Sequence, residues 1–103
     1  MYLDFRDEVL SVLRTNGSDT SKPHAVEYHV YVPKKVFTDK MANKVKESGY
    51  VVKIQRAGKH WLCIAGKTFV PEEADLNDHA RFFDQIANAV GGVFDGWQAE
   101  IID

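Results

Sequence analysis

Apolar residues recur along this chain first at helical spacing and then at strand spacing. Tyr2, Phe5, Val9 and Leu13 lie three or four apart, and Leu3, Leu10 and Val12 widen the stripe, which predicts an amphipathic helix over residues 2–14. Asn16-Gly17 stops it. Residues 15–23 are rich in Ser, Thr, Gly and Asp and read as a flexible connector. From His24 the pattern alternates strictly: Val26, Tyr28, Val30 and Val32 on one side, Ala25, Glu27, His29 and Tyr31 on the other. That is a half-buried strand closed by Pro33. Residues 34–48 form a second helix whose buried line is Phe37, Met41 and Val45, with Gly49 as its cap.

A second strand over Tyr50–Arg56 turns Tyr50, Val52 and Ile54 inward, and Ala57-Gly58 supplies a short turn. The third strand, His60–Val70, is apolar at both parities in WLCIA, residues 61–65, as expected for a strand covered on both faces. Asp75 caps a third helix that runs to Val90 with Leu76, Ala80, Phe83, Ile86, Ala87 and Val90 on one face. Gly91-Gly92 ends it. In a last strand, Val93–Ile102, Trp97, Ala99 and Ile101 share the core side, and Gly96 marks either a bulge, which would re-aim Asp95 or Trp97, or a close backbone approach.

From residue 24 the order is β-α-β-β-α-β, so the expected class is α+β. The expected arrangement is a ferredoxin-like sandwich with a four-stranded antiparallel sheet and an extra N-terminal helix. Right-handed crossovers place both crossover helices on one side of the sheet. Residues 1–23 then form an appended helix and polar connector, and residues 24–103 the domain proper. Alternation assigns the other sheet face Glu27, His29 and Tyr31, then Val51, Lys53 and Gln55, then Trp61 and Cys63, and finally Gln98 and Glu100. Exposed aromatics mark interfaces. The face is either open or covered by Tyr2, Phe5 and Val9 of the first helix. The candidate partner-binding residues are Glu27, His29, Tyr31, Lys53, Trp61 and Asp95.

Composition narrows the chemistry. A chain of 103 residues fits one domain. Its single cysteine, Cys63, allows no internal disulfide and suits a reducing compartment. The start MYLDFRDEVL is acidic where a secretion signal would be basic and then apolar, so a cytoplasmic location is expected. The net charge of −2 conceals segregation: residues 22–67 hold ten basic and three acidic side chains, whereas residues 68–103 hold one basic and eight acidic. The plain expectation is that these blocks neutralise each other once folded. His24, His29, His60 and His79 have no i, i+4 helical pairing, and Cys63 has no second cysteine, so no metal or other cofactor is expected. Cys63 reads as a small buried residue and Glu72-Glu73 as helix-dipole partners, and catalysis is not expected. RNA-binding domains of this topology carry an aromatic and basic motif on the third strand. KHWLCIAGKTFV lacks it, which leaves weak phosphate contact by Lys53, Arg56 and Lys59 as an alternative use of the sheet face.

Four segments carry a family resemblance: EYHVYVP at 27–33, ESGYVVKI at 47–54, WLCIAGKTFVP at 61–71 and, most specific, GGVFDGWQAEI at 91–101. Over about residues 24–102 the chain resembles the RraB family, regulators of ribonuclease E activity. The resemblance implies a ferredoxin-like fold, no catalysis and no cofactor. It also implies a protein that binds ribonuclease E outside the nuclease's catalytic centre and dampens RNA decay. Inhibitors of this family carry extra acidic segments that these 103 residues do not include, and the first crossover helix here is markedly basic.

Overall fold

The alternation of His24–Val32 decides the architecture, because one face of that strand can only be satisfied by burial. In the computed structural model, which describes residues 4–103, it is β1 and lies inside the sheet. The elements are α1 (Phe5–Thr15), β1 (His24–Val32), α2 (Lys35–Glu47), β2 (Val51–Ala57), β3 (His60–Phe69), α3 (Leu76–Ala89) and β4 (Val93–Ala99). Tyr2 and Leu3, placed in the first helix by their spacing, lie outside the described residues. The strands pair in the order β2-β3-β1-β4, each antiparallel to its neighbour, which is the α+β ferredoxin-like arrangement.

Val26, Tyr28, Val30 and Val32 form the buried row of β1. Met41 and Val45 of α2 and Phe83, Ile86 and Ala87 of α3 close over them. The inward line of α2 is rotated from the one its spacing suggests. Phe37 is 37% exposed, and Thr38, Met41, Ala42 and Val45 face the sheet. Thr38 tolerates burial because its hydroxyl donates to the Lys35 carbonyl at 2.6 Å, which satisfies the polar group locally.

α1 joins the helical side of the sheet. Val9, Leu10 and Leu13 pack with Leu76 of α3, and Trp97 and Ala99 of β4 lean on the same cluster. The Phe5 ring lies 6.2 Å from Tyr28 and 6.1 Å from Phe94, both on the helix-facing side. α1 therefore does not mask the opposite face. The segment that follows is not a loose tether. Ser18 and Thr20 are buried, and His24 is fully buried. The His24 ring is held at 2.7 Å by the Lys22 carbonyl and at 2.6 Å by the Ser18 hydroxyl, whose oxygen accepts from the Ile102 N–H at 2.9 Å. Thr20 donates to Glu72, which also pairs with Arg14 at 3.6 Å. A composition of Ser and Thr signals a connector, but here the hydroxyls are used as internal hydrogen-bonding groups.

Strand register corrects one sequence-based assignment. Ala57 pairs with His60 across a two-residue turn, so Ile54 stands opposite Cys63, and Arg56 opposite Trp61. Cys63 in turn pairs with Val30, and Trp61 with Val32. Trp61 and Cys63 thus point to the helix side, and Leu62 and Ile64 point to the open side. The one-residue difference arises because WLCIA is apolar at both parities, so alternation alone cannot choose its face.

The last strand holds the bulge. His29 pairs with Gly96 but Val30 pairs with Phe94, leaving Asp95 as the extra residue. Gly96 adopts φ +126°, a backbone conformation that side-chain-bearing residues avoid. Gly92 serves a different need: a Cβ there would collide with the Tyr31 carbonyl oxygen, so its side-chain-free backbone lets β4 enter against β1.

Gly92→Ala is therefore expected to destabilise the protein by more than about 2 kcal/mol, read as a lower urea midpoint. Gly66→Ala, where an added Cβ meets nothing nearer than 3.8 Å, is expected to change stability by less than about 1 kcal/mol. His79 supplies a pH test. Its ring is bonded to the Tyr28 hydroxyl at 2.8 Å and boxed by Phe69 and Tyr50. Burial first, and then Lys67, hold its pKa below the usual histidine value, while Asp78 and Asp75 oppose that shift. Protonation is harder in the folded than in the unfolded chain. The stabilisation is thus complete above about pH 6.5 and is lost as pH falls below it. Thermal melts between about pH 7 and 5 are expected to show that decline, and His79→Gln, which keeps a partner for Tyr28, is expected to flatten it.

Candidate functional site

With all three helices on one side, the other face of the sheet is uncovered among the described residues. Register arranges it in rows. Gln55, Leu62, Tyr31 and Val93 form one row across the four strands. Lys53, Ile64, His29 and Gly96 form the next, and Val51, Gly66, Glu27 and Gln98 the third. The centre of the face is thus apolar and aromatic, with half-buried Ile64 and Tyr31 beside a buried Leu62, and charged groups stand around it. At its edges Val51 is 71% and Val93 60% exposed, high values for aliphatic side chains in strands. Gly66 lowers the floor between Glu27 and Val51 and leaves a shallow groove of about 710 Å³ bordered by Lys53, Ile64 and Gln98.

Of the residues singled out by sequence, Glu27, His29, Tyr31 and Lys53 share this face. Asp95 sits at its rim, where the bulge brings it to a hollow of about 300 Å³ beside Tyr31, His60 and Gly92. Trp61 is on the opposite side. Its ring lies between the Arg56 guanidinium at 5.2 Å and the Lys35 ammonium at 5.4 Å, both within cation–π range. An open face used for base stacking would thereby lack the tryptophan assigned to it. Leu62 and Ile64 were hidden by the apolar run. The signal that reveals them is the turn: counting a two-residue loop at Gly58-Lys59 pairs Ile54 with Cys63 and turns Leu62 and Ile64 outward.

Charge is distributed unevenly in space as well as in sequence. α2 and β2 occupy one flank and carry Lys35, Lys40, Lys44, Lys46, Lys53 and Arg56 against Asp39 and Glu47. α3 and β4, at the other flank, carry Asp78, Asp84 and Asp95. The four ion pairs among the described residues are Arg6–Asp7, Arg14–Glu72, Lys22–Asp19 and Arg81–Asp78. None uses a cation from the stretch Lys34 to Lys67. Among the described residues no ion pair joins the cations of Lys34 to Lys67 to the acidic block, and α2–β2 and α3–β4 lie at opposite flanks of the sheet.

Reactive groups are few on these surfaces. Burial pushes the Cys63 thiol up to about 11, which disfavours the nucleophilic thiolate. Among the described residues no three His, Cys, Asp or Glu side chains gather into a metal-binding group. No helix among them is long and apolar enough to cross a membrane. The face offers shape, apolar area and charge.

No curated protein matches the chain. A family model does, over residues 3–99, which is nearly the whole sequence, and its description is regulator of ribonuclease activity B. The chain belongs to the RraB family.

Proposed function

We propose that this protein is a non-catalytic cytoplasmic regulator that binds a ribonuclease E-type nuclease, away from the nuclease's catalytic centre, and slows RNA degradation. The observation that carries this reading is the uncovered sheet face, with Leu62, Ile64 and Tyr31 at its centre and Glu27, His29 and Lys53 around them. An apolar centre within a polar rim is the anatomy of protein interfaces. Family membership supports a role in controlling ribonuclease activity. In this reading residues 24–103 carry the binding surface, and residues 4–23 brace the sheet from behind.

The test is titration of the purified protein against a purified ribonuclease E-type nuclease, with RNA cleavage followed in parallel. Saturable binding and slower cleavage are expected. Tyr31→Ala and Ile64→Lys are each expected to weaken binding at least about tenfold, with circular dichroism unchanged. Val36→Ala, on the outside of α2, is expected to have no effect. Absence of saturable binding, or binding indifferent to both open-face variants, would sink the proposal. A shift of RNA alone at low salt that is lost in Lys53→Ala would point instead to the RNA-binding use of the face.

A further inference from the structure

We propose that the outer edge of β2 accepts an extended, acidic segment of a partner protein, which joins the sheet as a fifth strand. β2 is the last strand in the sheet order and pairs only with β3. It pairs over seven residues, Val51–Ala57, without bulge or proline. None of the backbone hydrogen bonds formed outside helices and ladders by the described residues involves residues 51–57. One row of its N–H and C=O groups is therefore free to pair with another chain. The opposite edge is different: the bulge at Asp95 interrupts β4 and spoils it as a template.

Charge selects the occupant. An added strand sends its side chains alternately to the two faces of the sheet, each within roughly 5 Å of its β2 neighbour. On the open face that neighbour is Lys53. On the helix face it is Arg56, which stands with Lys35 beside Trp61. Lys59 lies at the turn. None of these cations takes part in an intramolecular ion pair among the described residues. Carboxylates at both parities of the incoming strand would each find a cation, while Val51 and Ile54, 71% and 36% exposed, offer aliphatic contact on either side.

The same charges disfavour the other occupants. A second copy pairing edge to edge would bring VVKIQRA, with two cations and no acid, against itself. A nucleic acid would gain from the N–H groups and the cations, but half of the free edge groups are carbonyls, which repel phosphate and accept a peptide N–H. This inference does not require the partner to be a nuclease, nor the open face to be occupied.

The probe is a synthetic peptide of about ten residues built from Glu, Val and Thr, titrated into the full chain with amide hydrogen exchange and NMR shifts as readouts. Saturable binding is expected, with exchange slowed along Val51–Ala57. A version N-methylated at alternate residues is expected to fail, as is a lysine-for-glutamate counterpart. Lys53→Glu combined with Arg56→Glu is expected to weaken binding at least tenfold, and Lys53→Gln combined with Arg56→Gln to weaken it less. Tyr31→Ala is expected to leave peptide binding unchanged, which separates this surface from the open-face reading. The proposal is overturned if N-methylation or charge reversal has no effect. It is equally overturned if oligouridylate displaces the peptide more effectively than excess peptide does, or if β2 amides become protected by raising the protein concentration alone.

Discussion

Tyr28 is where the structure is held together. Its ring lies 4.7 Å from Phe83 of α3 and 5.8 Å from His79 of the same helix. Phe94 of β4 is 6.0 Å away, Tyr50 at the mouth of β2 is 6.1 Å away, and Phe5 of α1 is 6.2 Å away. Such aromatic pairs add about 0.5–1.5 kcal/mol each beyond burial, and here they join four elements through one side chain of β1. The hydroxyl is satisfied by His79, and burial raises the phenol's pKa, which favours the neutral form. Because neighbouring strand residues point to opposite faces, committing Tyr28 to the core pushes Glu27 and His29 out on the other side. The candidate site is the reverse side of the core's central contact.

How much of this was readable depends on how unambiguous each local pattern is. β1 and α3 were legible because their apolar residues fit one period only: two for Val26 to Val32, and near 3.6 for Leu76 to Val90. The bulge was legible from Gly96, since a glycine within a strand pattern has few other uses. β3 was not legible by alternation, and the open face read from it carried Trp61 and Cys63 in place of Leu62 and Ile64. The residue-level information was present in the hairpin loop, whose length decides register. The buried roles of Ser18, Thr20 and His24 are tertiary: Ile102 and Glu72, far away in sequence, make them worth burying.

Position of charge is a separate layer that neither the core nor the ladders determine. Solvent-exposed ion pairs contribute only about 0–1 kcal/mol each, so a chain loses little stability by leaving its cations unpaired along one flank. What it gains is a directional field: the β2 flank attracts acidic surfaces and the β4 flank repels them. Lys53 belongs to two surfaces at once, the open face and the β2 edge. A partner that extends a strand along β2 and folds over the sheet would meet one continuous interface, with backbone pairing at its margin and Leu62, Ile64 and Tyr31 at its centre.

The placement of α1 bears on the energetics of any such partner. A helix lying over the open face would have to leave before binding, and its apolar stripe would be exposed in the process. Val9, Leu10 and Leu13 are instead buried against Leu76, at about 1.5–3 kcal/mol for each fully buried aliphatic side chain, on the side of the sheet away from the open face. Occupying the open face requires no such displacement. The face is backed by a packed core and rests on strands already in register, so little ordering remains to offset the contact energy. In the proposed complex, register would leave Tyr31 and Ile64, seated over a buried Leu62, to supply area, and Glu27, His29 and Lys53 to set orientation.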